Sequence, residues 1–298
     1  MHRIIYLFKT TTEEFVHDNA TQMAAALAYY AIFAIPSILL ISINILSIFL
    51  QDEQVRLTLI TQAQGVMGGS TSEILAFAID HLHQYSNQGN IAQWIGIIAL
   101  ISAGIGAFGH VQVSLNTIWN IASHPTRSIF TTMQKRFTAI LFIFIIGIFI
   151  LVSFVVSTLF SKVGVNISEL IGISPPILQT INTIATFFGI TLCITLVYKL
   201  VPEGNMAWKD IFVGALVSSF LILFGKYIIG LAIQQSTFST IYGAAGSLLI
   251  LLLWVYYLSL IFFFGAEFTQ VYSHLHGHGI RPGKGTISIH ERMNEKKS

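Results

Sequence analysis

The run Tyr242–Phe268, YGAAGSLLILLLWVYYLSLIFFFGAEF, limits what this chain can fold into more than any other stretch. At about 1.5 Å rise per residue, a helix over it outreaches the roughly 30 Å of bilayer hydrocarbon. It carries Gly243, Ala244, Ala245 and Gly246 at one end, aromatic residues through the middle and one acid, Glu267, near the other end. Composition agrees with a membrane class: 54% of residues are hydrophobic, 9% are charged, and the mean hydropathy is +0.74. Soluble domains average about 25% charged residues, so a chain this poor in charge cannot coat itself with a polar surface. The expected fold is all-α, a polytopic membrane protein built as a six-transmembrane-helix bundle. The single cysteine, Cys193, allows no intrachain disulfide. No cleavable signal peptide is expected, because the first apolar run opens only near Ala24, behind a polar segment of mixed charge.

Residues 1–23 space Ile4, Leu7, Phe8, Phe15 and Met23 among Arg3, Lys9, Glu13, Glu14 and Asp18. That pattern predicts an amphipathic interfacial helix, its apolar face in lipid or against the bundle. The transmembrane domain is expected over 24–270, with spans at 24–50, 91–121, 137–161, 181–200, 210–233 and 242–268. Pro36 should kink the first span by removing a backbone donor. Residues 51–90 are polar. Ser70–Glu73 resembles a capping box, and Ile74, Leu75, Ala78, Leu82 and Tyr85 follow at helical spacing, which predicts an amphipathic helical hairpin over one mouth of the bundle. Val201-Pro202-Glu203-Gly204-Asn205 reads as a tight turn, with Pro202 a structural residue. Residues 271–298 are polar and glycine-rich and are expected to be a flexible tail.

Arg3 and Lys9 precede the first span. Arg127, Lys135 and Arg136 lie in the second loop, Lys199 and Lys209 bracket the fourth, and the tail holds Arg281, Lys284, Arg292, Lys296 and Lys297. The alternate segments hold only Arg56 and Lys162. The positive-inside rule then puts both termini in the cytoplasm and the 51–90 hairpin on the periplasmic side.

Polar residues inside spans are the candidates for function, since each is costly in hydrocarbon unless it faces the bundle. Tyr30, Ser37, Asn44 and Gln51 recur at seven-residue spacing on one face of the first span. Ser102, Gly106, Gly109, Asn116 and Asn120 share a face of the second. Helix–helix packing is the commoner use of such faces. Tyr30, Asn44 and Asn116 are carried as candidate substrate contacts, with Lys226 in the fifth span and Glu267 in the sixth. Lys226 suits an anionic head group or a snorkelling role. It is expected level with Gly246–Leu249, in the outer half of the bundle. Glu267 is expected at the inner end, paired with a cation such as Lys209. His110 reads as a hydrogen-bonded packing histidine. No metal site and no cofactor are expected: His81 and His83 are too few for zinc, which needs three or four ligands, and His274, His276 and His278 lack a carboxylate companion.

Several motifs, taken in order, carry a family likeness. They are Ala26-Leu-Ala-Tyr-Tyr-Ala-Ile-Phe-Ala-Ile-Pro36, Ser114-Leu-Asn-Thr-Ile-Trp119, Tyr198-Lys-Leu-Val-Pro202, Val213-Gly-Ala215, Tyr242-Gly-Ala244, Leu253-Trp254 and Gly265-Ala-Glu267. From Phe15 to Gln270 the chain resembles the YihY/BrkB family of bacterial inner-membrane proteins. The resemblance implies six helices and adds Trp119, Gly243, Gly246 and Trp254 to Pro36 and Pro202 as structural positions. It implies no settled activity: members have been discussed as serum-resistance factors, as transporters of lipids or other amphiphiles, and as cation/proton antiporters. An old ribonuclease BN label is regarded as a misassignment.

An enzyme is not expected. A metal-dependent ribonuclease needs clustered His, Asp and Glu ligands and a basic surface that tracks phosphates, and neither pattern is present. No GxxxxGK[ST] loop is present, so ATP would not drive transport directly through this chain. The expectation is a transporter or handler of an amphiphilic, lipid-like, anionic substrate; the alternatives are a cation/proton antiporter and a non-transporting envelope scaffold. Membrane lipids, a homo-oligomer or envelope proteins are the expected partners, and nucleic acid is not.

Overall fold

The structure is a computed structural model that describes residues 2–32, 90–123, 175–234, 244–277, 279–283 and 286–288. The 51–90 hairpin apart from Asn90, the 137–161 span, most of the first span with Pro36 and Asn44, and Gly243 lie outside the described residues. The first helix is α1 (His2–His17), followed by α2 (20–32) and α3 (Asn90–Ile118). A short strand β1 (Ile121–Ser123) precedes α4 (Pro175–Leu200), β2 (Gly204–Asn205) and α5 (Trp208–Gln234). The longest helix, α6 (Ala244–Leu275), is followed by β3 (Arg281–Pro282) and β4 (Thr286–Ser288). Among the described residues, Thr183–Leu200, Trp208–Lys226 and Leu251–Leu275 are long and apolar enough to cross a bilayer.

Helices α4, α5 and α6 form the centre: α5 packs on both neighbours, and α1 lies along α6. The packing puts polar groups inside and large apolar ones outside. On α5, Phe212, Phe220 and Phe224 are exposed at four- or eight-residue spacing, while Ser218 and Ser219 are buried. Their hydroxyls donate to the carbonyls of Gly214 and Ala215 at 3.1 and 2.8 Å. On α4, Ile184, Phe188 and Leu192 face out, while buried Thr191 and Thr195 donate to Phe187 and Thr191 carbonyls at 2.8 and 2.7 Å. Back-bonding to the preceding turn satisfies a hydroxyl without a partner helix, and a small side chain then lets backbones approach closely. This is the pattern of helices whose outer solvent is lipid.

Helix ends follow local chemistry. The turn after α1 uses Asn19 at φ 56°, a left-handed conformation that asparagine tolerates, and Asn120 ends α3 at φ 55°. Gly277, at φ 75°, closes α6, with its N–H on the His274 carbonyl at 3.2 Å. Between α4 and α5, Lys199 donates to Asn205 Oδ1 at 3.0 Å and to the Met206 carbonyl at 2.8 Å, and its ammonium lies 5.4 Å from the Trp208 ring centroid.

Part of the segment expected to be a flexible tail pairs with the ends of the helices. β4 runs antiparallel to β1, with Ala122 opposite Ile287, and β3 runs antiparallel to β2, with Asn205 opposite Arg281. The Gly283 N–H adds a bond to the Glu203 carbonyl at 3.0 Å. The end of α3, the α4–α5 turn and the end of α6 therefore gather at one end of the molecule. α6 itself runs past Phe268, because Thr269, Gln270 and Ser273 are buried in the bundle despite their polarity.

Candidate functional site

At the gathered end the core is aromatic. Tyr198, wholly buried, donates to the Phe262 carbonyl and lies 3.2 Å from Ser218 Oγ. Trp119 packs edge-on against it at 6.5 Å between ring centroids, and its indole N–H points at the Ala266 carbonyl 3.4 Å away. Asn116 Oδ1 accepts the Glu203 backbone N–H at 2.9 Å, and Gln112 donates to the Val201 carbonyl at 3.1 Å. Asn116, a sequence candidate for substrate contact, thus holds the α4–α5 turn to α3. Buried Pro202 is part of that turn.

Tyr30 packs against α3. Its ring lies 5.9 Å from that of His110 and over Gly106, where a Cβ would come within 2.7 Å of it. His110 is a packing histidine: its Nε2–H donates to the Met23 carbonyl at 2.8 Å, joining α2 to α3. Trp254 is wholly buried and stacked on Tyr257 at 6.1 Å, with no partner for its indole N–H among the described residues. Gly246 lies in the first turn of α6.

Lys226 and Glu267 are far apart. Lys226 is half-buried on α5 and engaged with a neighbour. The adjacent Gly225 faces the Tyr257 hydroxyl, which donates to the Leu221 carbonyl at 3.2 Å. The level of Lys226 on α6 is therefore near Tyr257, not at Gly246–Leu249. From Tyr257 to Glu267 is still about 15 Å of helix at 1.5 Å per residue, so the two charges do not meet.

Glu267 is wholly buried, and neither carboxylate oxygen has a hydrogen-bond partner among the described residues. The expected pairing with Lys209 is absent: Lys209 is exposed in the first turn of α5 and forms no ion pair with Glu267. The charged groups that act on Glu267 are instead two acids across the helix interface, Asp18 and Glu14. The α1–α2 corner that presents them also holds His17, whose Nδ1 lies 3.0 Å from Asp18 Oδ1. Ligand atoms of Glu14, His17 and Asp18 lie within 4.8 Å of one another. Sequence reasoning passed over this corner because its members are more than two hundred positions from Glu267. The Asp18-Asn19 pair, residues that favour helix breaks, was the local signal.

Polar residues turned inward, phenylalanines turned outward and spans of bilayer length define an integral membrane protein with a helical bundle. The family profile described as Virulence factor BrkB matches residues 11–286, and the chain belongs to that family. It is 26% identical over 275 residues to a UPF0761 membrane protein of Mannheimia succiniciproducens, covering 91% of each chain. It is 29% identical over 260 residues to one of Alteromonas mediterranea, covering 85% of this chain and 82% of the relative. A UPF0761 membrane protein of Alcanivorax borkumensis is 24% identical over 268 residues, and the match covers 88% of this chain but only 59% of that longer protein. No solved structure matches the chain.

Proposed function

We propose that this chain is an inner-membrane protein that transports or handles an amphiphilic anion, with Lys226 as the group that recognises its charged head. The observation that carries the reading is the placement of Lys226. It lies about 24 Å along α5 from Asp210, at 1.5 Å per residue, far from the basic ends of the helices. It is half-buried two residues from lipid-facing Phe224. A cation between an apolar outer face and the bundle interior suits a molecule whose tail stays in lipid while its head enters the protein. Intramembrane charges mark substrate pathways more often than packing. The reading is not enzymatic.

The proposed topology has six spans with both termini in the cytoplasm. It draws support from the gathering of the ends of α3, α4 and α6 with the start of α5 at one end, the arrangement that parity requires. The basic residues supply the orientation. Cysteines placed at Ser86 and at Ser298 in a Cys193→Ser background should react with an impermeant thiol reagent from opposite sides. Labelling from the same side would overturn the topology.

The substrate reading is tested at Lys226. Lys226→Met keeps an unbranched stem and removes the ammonium, while Lys226→Arg keeps the charge with a different donor geometry. The methionine variant should insert yet fail to complement a deletion strain, and the arginine variant should retain part of the function. Full complementation by Lys226→Met would reduce Lys226 to a snorkelling residue and leave cation exchange or docking as the function.

A further inference from the structure

The corner between α1 and α2 gathers the carboxylates of Glu14 and Asp18 beside the His17 imidazole. Glu13 pairs with Lys9 and Asp18 with His17, and among the described residues no lysine or arginine lies within ion-pair reach of Glu14, Asp18 or Glu267. An exposed acidic cluster alone would be an ordinary solvated surface. Two features set this one apart. One is the close approach of a carboxylate on α1, an imidazole and the Asp18 carboxylate, all within 4.8 Å, a spacing that a single ion can draw together. The other is Glu267 on α6, the helix along which α1 lies with Phe15 5.8 Å from Phe264; it is fully enclosed, both its oxygens are unpartnered among the described residues, and Asp18 and Glu14 are its charged neighbours. A buried carboxyl that lacks both a donor and a cation is costly.

We infer that this corner binds a divalent cation, held by Glu14, His17 and Asp18 with the Glu267 carboxyl behind it. The donor set selects the class. Carboxylate oxygens with one imidazole nitrogen suit first-row ions of the Mn²⁺ to Zn²⁺ range better than all-oxygen Mg²⁺ or Ca²⁺ sites. Access is graded: the His17 side chain is 82% exposed, that of Asp18 14%, and Glu267 is closed off, so an ion can enter from the surface and meet its deepest counter-charge last. The bound ion would tie the first helices of the chain to the last. This inference is independent of the reading of Lys226, which lies elsewhere on the bundle.

The test titrates full-length protein in detergent with Mn²⁺. Loss of the free-ion paramagnetic resonance signal reports binding, and a melting curve is taken with and without the ion. Wild type should bind one Mn²⁺ per chain and melt at a higher temperature when loaded. Asp18→Asn and Glu267→Gln should each weaken binding by roughly 10–100-fold, as loss of a ligand or its supporting carboxylate does, and should abolish the thermal shift. Nitrogen coupling to the bound ion should be present in wild type and absent in His17→Ala. The tail is the competing source of ligands, so His276→Ala with His278→Ala should leave binding unchanged. Binding that survives Asp18→Asn and Glu267→Gln, that is lost only with the tail histidines, or that is absent from wild type would overturn the site. Should Glu267→Gln fail to fold, Glu14→Gln and Asp18→Asn decide the same question from the rim.

Discussion

Gly265→Leu is expected to remove most folded protein from the membrane, and Gly265→Ala to lower the melting temperature in the same direction. Gly265 sits where α6 crosses α5 and α4. A Cβ there would lie 1.7 Å from Ser218 Oγ, 2.8 Å from the Tyr198 hydroxyl and 3.0 Å from Ser218 Cβ. The partner position is equally tight: at Gly214 a Cβ would meet Thr269 Oγ1 at 1.7 Å and the Gly265 carbonyl at 3.0 Å. Overpacking a closed interior costs about 1–3 kcal/mol and sometimes more. Relief here requires two helices to separate, which also strains the Tyr198 hydrogen bond to Phe262. The nearest obstacle to one added methyl is a serine hydroxyl, so Ser218→Gly should recover part of the Gly265→Ala loss and little of the Gly265→Leu loss. Gly104 and Gly189 are the controls, since a Cβ at either meets nothing within 4 Å among the described residues. Alanine there should be neutral or stabilise by up to about 1 kcal/mol through helix propensity. Melting curves of purified variants in one detergent decide it. Equal losses at Gly265 and Gly189 would show that α5–α6 contact does not limit stability.

The close approach at Gly265 was half legible. The small residues Gly214, Ala215, Gly265 and Ala266 announce a tight helix contact wherever they share a face. The sequence has no way to say which helices share it, because pairing is set by tertiary register. The same limit explains Lys226: its span was evident from hydropathy, but its level beside Tyr257 depends on where the α5–α6 hairpin turns. The end of α6 was misplaced for a different reason. Thr269, Gln270 and Ser273 are polar, and hydropathy stops at Phe268, yet they are buried because the bundle continues beyond the apolar run. Strands β1 to β4 are two or three residues long and carry no alternation to detect. Glu267 was identified as a special residue, but its surroundings were inverted. An acid near the end of a span invites a lysine partner, and the fold brings Asp18 and Glu14 instead. Helix α1 does this by lying along α6, with Phe8 5.6 Å from Phe268 and Phe15 5.8 Å from Phe264 between ring centroids. The apolar face of an amphipathic N-terminal helix was readable, and the bundle as the surface it covers was not.

Trp119→Ala should destabilise the protein by about 3–5 kcal/mol, the usual cost of deleting a buried aromatic side chain and leaving its cavity. Trp119 is 2% exposed and closes α3 where it meets α4 and α6. Its ring lies against Tyr198, itself wholly buried. No neighbouring chain can refill the space cheaply, because Leu115, Ile118 and Ile211 around it are fixed in the same enclosed cluster. Trp119→Phe keeps a ring and loses the N–H directed at Ala266. That bond is long at 3.4 Å, so its loss should cost about 1 kcal/mol or less beyond the smaller volume. The informative variant is the double change with Tyr198→Phe. If the edge-to-face pair is held in place by the Tyr198 hydrogen bond to the Phe262 carbonyl, removing the hydroxyl should loosen the ring that Trp119 rests on. The two losses would then overlap, with a coupling of about 0.5–1.5 kcal/mol. Strict additivity would mean that Trp119 draws its stability from contacts other than the Tyr198 ring. The edge-to-face rings would then be a consequence of helix packing and not one of its causes.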